Sequence, residues 1–483
     1  MNPSVLTIAK LHSESVAYYE STVDPEKAVA ASGSEATSGN TPVGPDGYYS
    51  EDGTAPATAW INGVDTTQSV ALAEFLGVSS GEQIDGASVR GWFNRMRAPS
   101  GTKLGRKPGP TTLPGYDLTF CAPKSVSVLW GLTDSPSVRA AVDAAHAAAV
   151  SAAMEYVTEH AAYTRRRVDE DTVLVARTRG LSGVKYEHRT ARSGDPHVHS
   201  HVLLSNRQLC ADGKVLSLDG VNVYHEARAG GMIYQATLRA ELSAALGVAW
   251  GQTVNGCADI VGLDDPEMLD AFSTRTRELD QWRDANGVVA AGDIADDAEE
   301  AAASAALTRI AQKKTRQAKD LQTSLAEHEQ QWQVQLRGIP QAAEVREFID
   351  RLDPTDTGTP AESDGAPAVT GGGYPSVDEV LAAVSAERST FTRADLVEAA
   401  AALVGPGVAA DQVRASVERI ADEAIASTAA WSVTPDQARS FDRSKREGSQ
   451  RFTTSVVVAE VDRGIDLATA PATARQISVD QAR

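Results

Sequence analysis

The sequence predicts an α+β protein: a central antiparallel β-sheet with a histidine hairpin, flanked by helices, followed by a small C-terminal helical module. Three observations carry that prediction. Around residues 184–206, apolar and polar residues alternate with period two, the signature of strands. Long stretches such as 137–160 and 221–246 repeat their apolar residues at helical spacing instead. A Pro-, Gly- and acid-rich run over 353–375 then separates these elements from a new helix start at Ser376.

Taken in order, Ser4 to His12 is strand-like, and Ser13 to Ser21 reads as a short helix carrying Tyr18-Tyr19. A polar stretch from Ala28 to Gly47 reads as a mobile loop that leads to a second pair, Tyr48-Tyr49. Residues 66–97 are helical around Leu72 to Leu76. After a basic loop, Gly115 to Phe120 is a strand containing Asp117. The chain from Ala122 to Trp130 turns into a helix, where Pro123 is tolerated because a first-turn N–H has no helical acceptor. A long Ala-rich helix follows over Ser137 to His160, and Asp171 to Arg179 is the strand that leads to the hairpin. Val221 to Leu246, Asp265 to Gly287 and Ile294 to Leu336 read as helical. Beyond the linker, Ser376-Val377-Asp378-Glu379 is a capping box, Thr392 starts another helix, and Arg451 to Val461 is a β-branched, extended run. The expected organisation is thus residues 1–285 as one domain, 286–352 as a helical extension, 353–375 as linker and 376–483 as the small module.

The hairpin concentrates the chemistry. Four of the nine histidines, His188, His197, His199 and His201, fall within fourteen positions. Arg192-Ser193-Gly194-Asp195-Pro196 supplies turn residues between the two arms. Strand spacing limits which rings can share an ion. His197 and His201 lie about 13 Å apart along a strand, whereas ligand nitrogens sit only about 2.0–2.1 Å from a zinc-like ion. Three ligands from one straight strand cannot converge. His199 and His201 can, if a third ring arrives from the adjacent strand, and His188 is placed to supply it. The bland alternative is a run of surface histidines with no metal.

Charge and composition narrow the partners. The net charge of −20 argues against a polyanion when read as a sum, but the distribution is uneven. Residues 86–116 hold Arg90, Arg95, Arg97, Lys103, Arg106 and Lys107 and no acid; Arg165, Arg166, Arg167, Arg177, Arg179, Lys185, Arg189 and Arg192 surround the hairpin. The acids cluster elsewhere, over Asp293 to Glu300 and Asp353 to Glu379. Each basic run alone reads as solvated surface. Two runs flanking one metal site point to a polyanionic substrate, with Arg95, Arg97, Lys103, Arg106, Lys107, Lys124, Arg177, Arg179 and Lys185 as candidate DNA contacts. Trp92, Phe93 and Trp130 are candidate base-stacking residues beside their ordinary role as core. Cys121, Cys210 and Cys257 are scattered and suit a reducing cytoplasm. No run approaches the ~18 apolar residues of a membrane span, and the N-terminus carries no signal-peptide pattern. A cytoplasmic protein without membrane insertion is expected.

Three motifs in this order carry a family resemblance: Ala17-Tyr18-Tyr19-Glu20, Tyr116-Asp117-Leu118-Thr119-Phe120-Cys121-Ala122-Pro123-Lys124-Ser125-Val126-Ser127, and the histidine hairpin itself. Over roughly residues 1–285 the chain resembles the TrwC/TraI-type (MobF) conjugative relaxases, HUH-class nickases that start plasmid transfer. The resemblance implies the HUH relaxase fold, with Tyr18 as nucleophile and His188, His199 and His201 as ligands to one divalent ion. It implies Asp117 as the carboxylate that activates the tyrosine or orients a histidine, and Tyr48 as a second tyrosine. The chain departs from the family pattern in the long spacer between its tyrosine pairs and in Cys121, where serine is usual. The implied partners are single-stranded and hairpin plasmid DNA at the origin of transfer, the accessory proteins of the relaxosome and the coupling protein of a type IV secretion system.

The chemistry has its own logic. A phosphodiester is anionic, so a cation is needed to screen it as it is attacked. A phenol with a pKa of ~10 needs help to lose its proton. Attack by Tyr18 would leave a 5′-phosphotyrosyl DNA and a free 3′-hydroxyl. Three imidazoles favour Mn2+, Co2+, Ni2+ or Zn2+ over Mg2+, while the family implies Mg2+ or Mn2+. Relatives continue into a RecD-type helicase; no G-x-x-x-x-G-K-[ST] loop occurs in these residues, and a fragment ending before that motor is the expectation. Two other readings remain: a rolling-circle initiator or transposase with the same chemistry, and a non-catalytic DNA-binding or metal-storage protein.

Overall fold

The computed structural model describes residues 6–12, 56–106, 109, 112–167, 173–286, 307, 323–352, 373–433 and 448–469. The expected helix over 13–21, the loop over 28–47, both tyrosine pairs, Lys107 and most of the stretches 294–322 and 353–375 lie outside them. In chain order the elements are β1 (Leu6–Lys10), β2 (Thr58–Gly63), α1 (Thr66–Leu76), α2 (Gly86–Arg95), β3 (Gly115–Cys121), α3 (Lys124–Leu132) and α4 (Pro136–Ala161). Then come β4 (Tyr163–Arg167), β5 (Val173–Arg177), β6 (Gly180–Thr190), β7 (Pro196–Ser205), β8 (Arg207–Leu209), β9 (Val215–Ser217) and α5 (Gly220–Leu246). The chain continues through α6 (Pro266–Ala271), α7 (Thr274–Ala285), α8 (Leu325–Arg337), α9 (Ala342–Asp350), α10 (Val377–Glu387), α11 (Arg393–Ala402), α12 (Val413–Ala426), β10 (Ala430–Ser432), β11 (Phe452–Thr454) and α13 (Ser455–Thr469).

Five strands form one antiparallel sheet in the order β1-β3-β7-β6-β2, which puts the hairpin β6–β7 next to its centre. Alternation divides the side chains between two faces. Leu118, Phe120, Val198, Val202 and Leu204 pack beneath the long helices α4 and α5. Ala59, Val184, Tyr186 and Leu203 face the other way, into a second core with Leu72, Leu76, Trp92 and Phe93 of α1 and α2. The histidines continue the row of Val184, Tyr186 and Leu203 on this second face.

The helices start and stop where local chemistry directs. Ser135 accepts from Val138 N ahead of Pro136, which sets the start of α4. The capping box expected at Ser376/Glu379 is formed, and a second, Thr392/Asp395, opens the helix expected to start at Thr392. The stretch 66–97 is two helices, not one, because Gly77 stops the first at φ +70° and Asp85 caps the second. The stretch 265–287 is likewise split at Ser273.

Arg451 to Val461 corrects an expectation. Only Phe452–Thr454 is a strand, and the run of valines that follows is helical. Thr454 Oγ1 accepts from Val457 N at 3.4 Å and opens a helix where β-propensity alone favoured extension.

The helical module packs on the sheet-distal side of α4 and α5, and its apolar residues join the same buried core as theirs. Ion pairs rim that junction: Arg228 to Glu398 at 2.6 Å and His160 to Glu418 at 2.7 Å. Among the described residues no helix is long and apolar enough to cross a membrane.

Candidate metal centre and nucleic-acid interface

The pairing of β6 with β7 sets His188 directly opposite His199, and Tyr186 opposite His201. Three rings therefore meet on one face, His199 and His201 from β7 and His188 from β6. One nitrogen from each lies within 4.8 Å of the other two. Their centroids are 5.0 Å (188–199), 5.3 Å (188–201) and 5.2 Å (199–201) apart. Of the hairpin histidines, this set is the one that strand spacing selects.

The outer nitrogens of two rings are engaged. His199 Nδ1 lies 2.9 Å from the carbonyl oxygen of His197. His201 Nδ1 lies 3.0 Å from Asp117 Oδ1 and 3.0 Å from Thr119 Oγ1. A ring that donates from Nδ1 presents Nε2 as a lone pair, the form a metal needs. Asp117 and Thr119 reach His201 because β3 pairs with β7 in the register Thr119 to His201 and Cys121 to His199, which puts alternate β3 residues on the histidine face. The donor set fits a divalent ion: three ring nitrogens, two of them on rings oriented from behind.

Burial keeps the rings of His199 and His197 neutral. His199 is held well below the usual imidazole range by burial first and then by its three histidine neighbours. His197 is lowered to about 3 by burial, with Lys124 and His201 adding to it. His197 is outside the triad; its ring stacks on His199 at 4.4 Å. Cys121, the unusual residue of its motif, has its thiol pushed up to about 12 by burial and by Asp117, so it stays protonated.

A β-bulge shapes the turn end of the hairpin. Between the pairs His188–His199 and Thr190–Pro196, one residue of β6, Arg189, opposes two of β7, His197 and Val198. The backbone freed at Val198 is satisfied by the start of α3: its N–H donates to Ser127 Oγ at 3.0 Å and its carbonyl accepts from Ala122 N at 3.0 Å. Beneath the bulge, the buried Arg189 donates to Asp143 Oδ1 at 2.8 Å and to the His188 carbonyl at 3.2 Å, and stands 5.7 Å over the Trp130 ring.

The candidate DNA contacts separate into groups. Arg95, Arg97, Lys103 and Arg106 are exposed in and beside the acid-free loop, where an isolated bridge pairs Arg97 with Lys103. The structure places four others differently from the expectation of free surface cations. Lys124 donates to the Pro196 carbonyl at 3.1 Å. Lys185 points to the opposite face of the sheet from the histidines and pairs with Glu187 at 2.6 Å. Arg179 is bonded to Gln68 and to the Ala211 carbonyl, and Arg177 to the Glu159 carbonyl. Each keeps its charge but has at least one of its donors taken by a protein acceptor.

The aromatic candidates take the core alternative. Trp92, Phe93 and Trp130 are 0%, 0% and 2% exposed, so they are core and offer no face to a base. Thr119, which sequence reasoning missed, was signalled only by its period-two spacing from Asp117. The other three-donor cluster, Glu159, His160 and Glu418, is filled by the guanidinium groups of Arg393 and Arg414 and is an ion-pair network.

The family model described as TrwC relaxase matches residues 12–339. The multifunctional conjugation protein TraI of Escherichia coli is 36% identical over 176 residues, 33% of this chain and 10% of that protein. The TraI of Escherichia coli strain K12 is 34% identical over 176 residues. The match thus spans about a tenth of the length of these curated relatives. Among solved structures, the metal-free complex of the conjugative relaxase TrwC with oriT DNA superimposes with a TM-score of 0.49 at 21% identity, covering 72% of this chain and 100% of that one. The metal-bound complex gives 0.46 at 21% identity, with the same coverage.

Proposed function

The chain belongs to the TrwC relaxase family, and on that premise we propose that it nicks one strand of plasmid DNA at an origin of transfer and so initiates conjugation. The observation that carries this reading is the convergence of His188, His199 and His201 on one face, with Asp117 behind His201. In this reading one divalent ion is held by the three histidines, Mg2+ or Mn2+ in the cell, with Zn2+, Ni2+ and Co2+ also suited to the nitrogen donors.

When bound, the ion would screen the charge that develops on the scissile phosphate. The protein supplies the rest. The His197 carbonyl fixes the ring of His199, and Asp117 with Thr119 fixes that of His201. Both Asp117 oxygens lie within 3.2 Å of His201 Nδ1, which supports the orienting role for this carboxylate over that of base to the tyrosine. Tyr18 is the nucleophile in this proposal. A bond forms between its phenolic oxygen and phosphorus as the bond to the 3′ oxygen breaks; the phenol loses a proton and the 3′ oxygen gains one. A phosphodiester replaces a phosphodiester, so the strand can be rejoined without ATP. Tyr48 is the second tyrosine, used when transfer ends.

The DNA partner is single-stranded and hairpin origin DNA. The exposed Arg95, Arg97, Lys103 and Arg106, with Lys107, line its path. Residues 1–285 carry the nickase and 286–352 extend it; 353–375 link it to a module over 376–483 that resembles the approach to a helicase. Relaxosome accessory proteins and a type IV coupling protein complete the proposed partners, in the cytoplasm.

The test is a labelled single-stranded oligonucleotide spanning the origin, incubated with the protein and Mn2+ or Mg2+. A covalent adduct that is lost in Tyr18→Phe supports the relaxase. Binding with no adduct under any metal would leave a DNA-binding protein. His199→Ala is expected to abolish nicking while much of the DNA affinity remains.

A further inference from the structure

We propose that Trp332 and Thr274 are positioning residues for the metal centre, acting through the turn that joins its two ligand-bearing strands. The inference rests on the metal reading above and adds elements that lie far away in sequence. His188 and His199 pair beside the turn of the hairpin, so the position of that turn bears directly on their spacing. Here the turn is held from three sides. Trp332 Nε1 of α8 donates to the Gly194 carbonyl at 2.7 Å. Both carboxylate oxygens of Asp195 are taken at the start of α7, accepting from Thr274 N and Thr274 Oγ1 at 2.9 Å each. Lys124 of α3 donates to the Pro196 carbonyl. Three consecutive turn residues are thus fixed by three separate helices.

Two features show a fitted contact. The N-cap of α7, Ser273, makes no side-chain cap bond of its own. Asp195 supplies that function from the hairpin, with its negative charge at the positive end of the helix. On the other side, Gly194 adopts φ +80°, and a Cβ there would come within 3.1 Å of the ring of His328, which stacks on Trp332. A Cβ on Gly131 would meet Trp332 and Pro196, each at 2.9 Å, so α3, the turn and α8 are in close mutual approach. Trp332 is 1% exposed. The helical extension, through α8, and the end of the preceding domain, through α7, therefore serve the metal centre: they set the spacing of His188 and His199 by immobilising the loop between them.

The test uses the full chain without DNA. Trp332→Phe keeps an aromatic ring, though a smaller one, and removes the N–H, and the nearly isosteric Thr274→Val removes one of the two bonds to Asp195. The Mn2+ dissociation constant is read from the electron paramagnetic resonance of free Mn2+, beside the thermal midpoint of the metal-free protein. Each variant is expected to weaken Mn2+ binding by about fivefold, the equivalent of one lost hydrogen bond. Leu336→Met, a buried change on the same helix, is expected to leave it unaltered. Wild-type Mn2+ affinity in both variants, with only a lowered midpoint, overturns the inference and leaves the metal centre standing. Absence of Mn2+ binding by the unaltered protein overturns the metal reading itself, and the inference with it.

Discussion

His201 and Asp117 meet across neighbouring strands, with Nδ1 3.0 Å from one carboxylate oxygen and 3.2 Å from the other. A carboxylate placed behind a ligating imidazole fixes its tautomer and raises its basicity. Removing it by Asp117→Ala is expected to weaken divalent-metal affinity by about 10–100-fold, measured by calorimetric titration with Mn2+. Asp117→Asn retains an acceptor and should fall between. Unchanged affinity in Asp117→Ala would remove this carboxylate from the metal centre.

The exposed cations offer a separate prediction. Arg97, Lys103 and Arg106 are all exposed around the acid-free loop. Each phosphate contact on single-stranded DNA contributes about 0.7 to the slope of log affinity against log salt. Replacing all three by alanine should lower that slope by about 2 and weaken binding without altering metal affinity. A salt titration that superimposes on that of the unaltered protein would place the DNA elsewhere.

Arg189 is buried, paired with Asp143 and Glu187, and bonded to the backbone of the candidate ligand His188. Burial pushes the Glu187 carboxyl up, but Lys185 and Arg189 more than offset it and hold it at about 2. Breaking a fully buried pair costs about 3–5 kcal/mol. Asp143 and Glu187 each keep about a fifth of the side chain in water, so Arg189→Met is expected to cost less, about 2–3 kcal/mol. Urea unfolding measures this, and a loss under about 0.5 kcal/mol would show the pair to be neutral.

The core histidine His146 gives a pH dependence. Its ring is 2.8 Å from Tyr234 Oη on one side and from Ser200 Oγ on the other. Burial, assisted by the charge of Arg189, lowers it to about 3. Between pH 6.5 and about 3 the unfolded chain therefore binds a proton that the folded chain refuses, and stability falls as pH falls. The contribution is about 2 kcal/mol between pH 7 and pH 5. In His146→Gln the difference in unfolding free energy between those two pH values should shrink by that amount. An unchanged difference would mean that His146 takes up its proton in the folded state.

Much of the site was legible in the sequence because strand geometry is periodic. A two-residue repeat puts His199 and His201 on one face, and a hairpin turn five residues long brings His188 alongside. The long helices α4 and α5 and the capping boxes of α10 and α11 follow from local patterns in the same way. Packing against distant partners has no such local signature. Trp92 and Trp130 could be surface stackers or core until α1, α2 and α4 are seen to cover them. Lys185 could be read as a DNA contact until register turned it to the far face, and the valines after Thr454 as a strand until a cap opened a helix.

The sequence by itself determined which residues can bind a metal, since ligand type and strand spacing are local properties of 188–201. Only the tertiary structure decided what holds them in place. Asp117 and Thr119 come from β3, Asp143 from α4, Thr274 from α7 and Trp332 from α8, and none of these contacts is written in the spacing of the chain. The physical reason is that a hydrogen bond depends on separation in space, and chain closure brings residues more than a hundred positions apart, such as Gly194 and Trp332, within 2.7 Å.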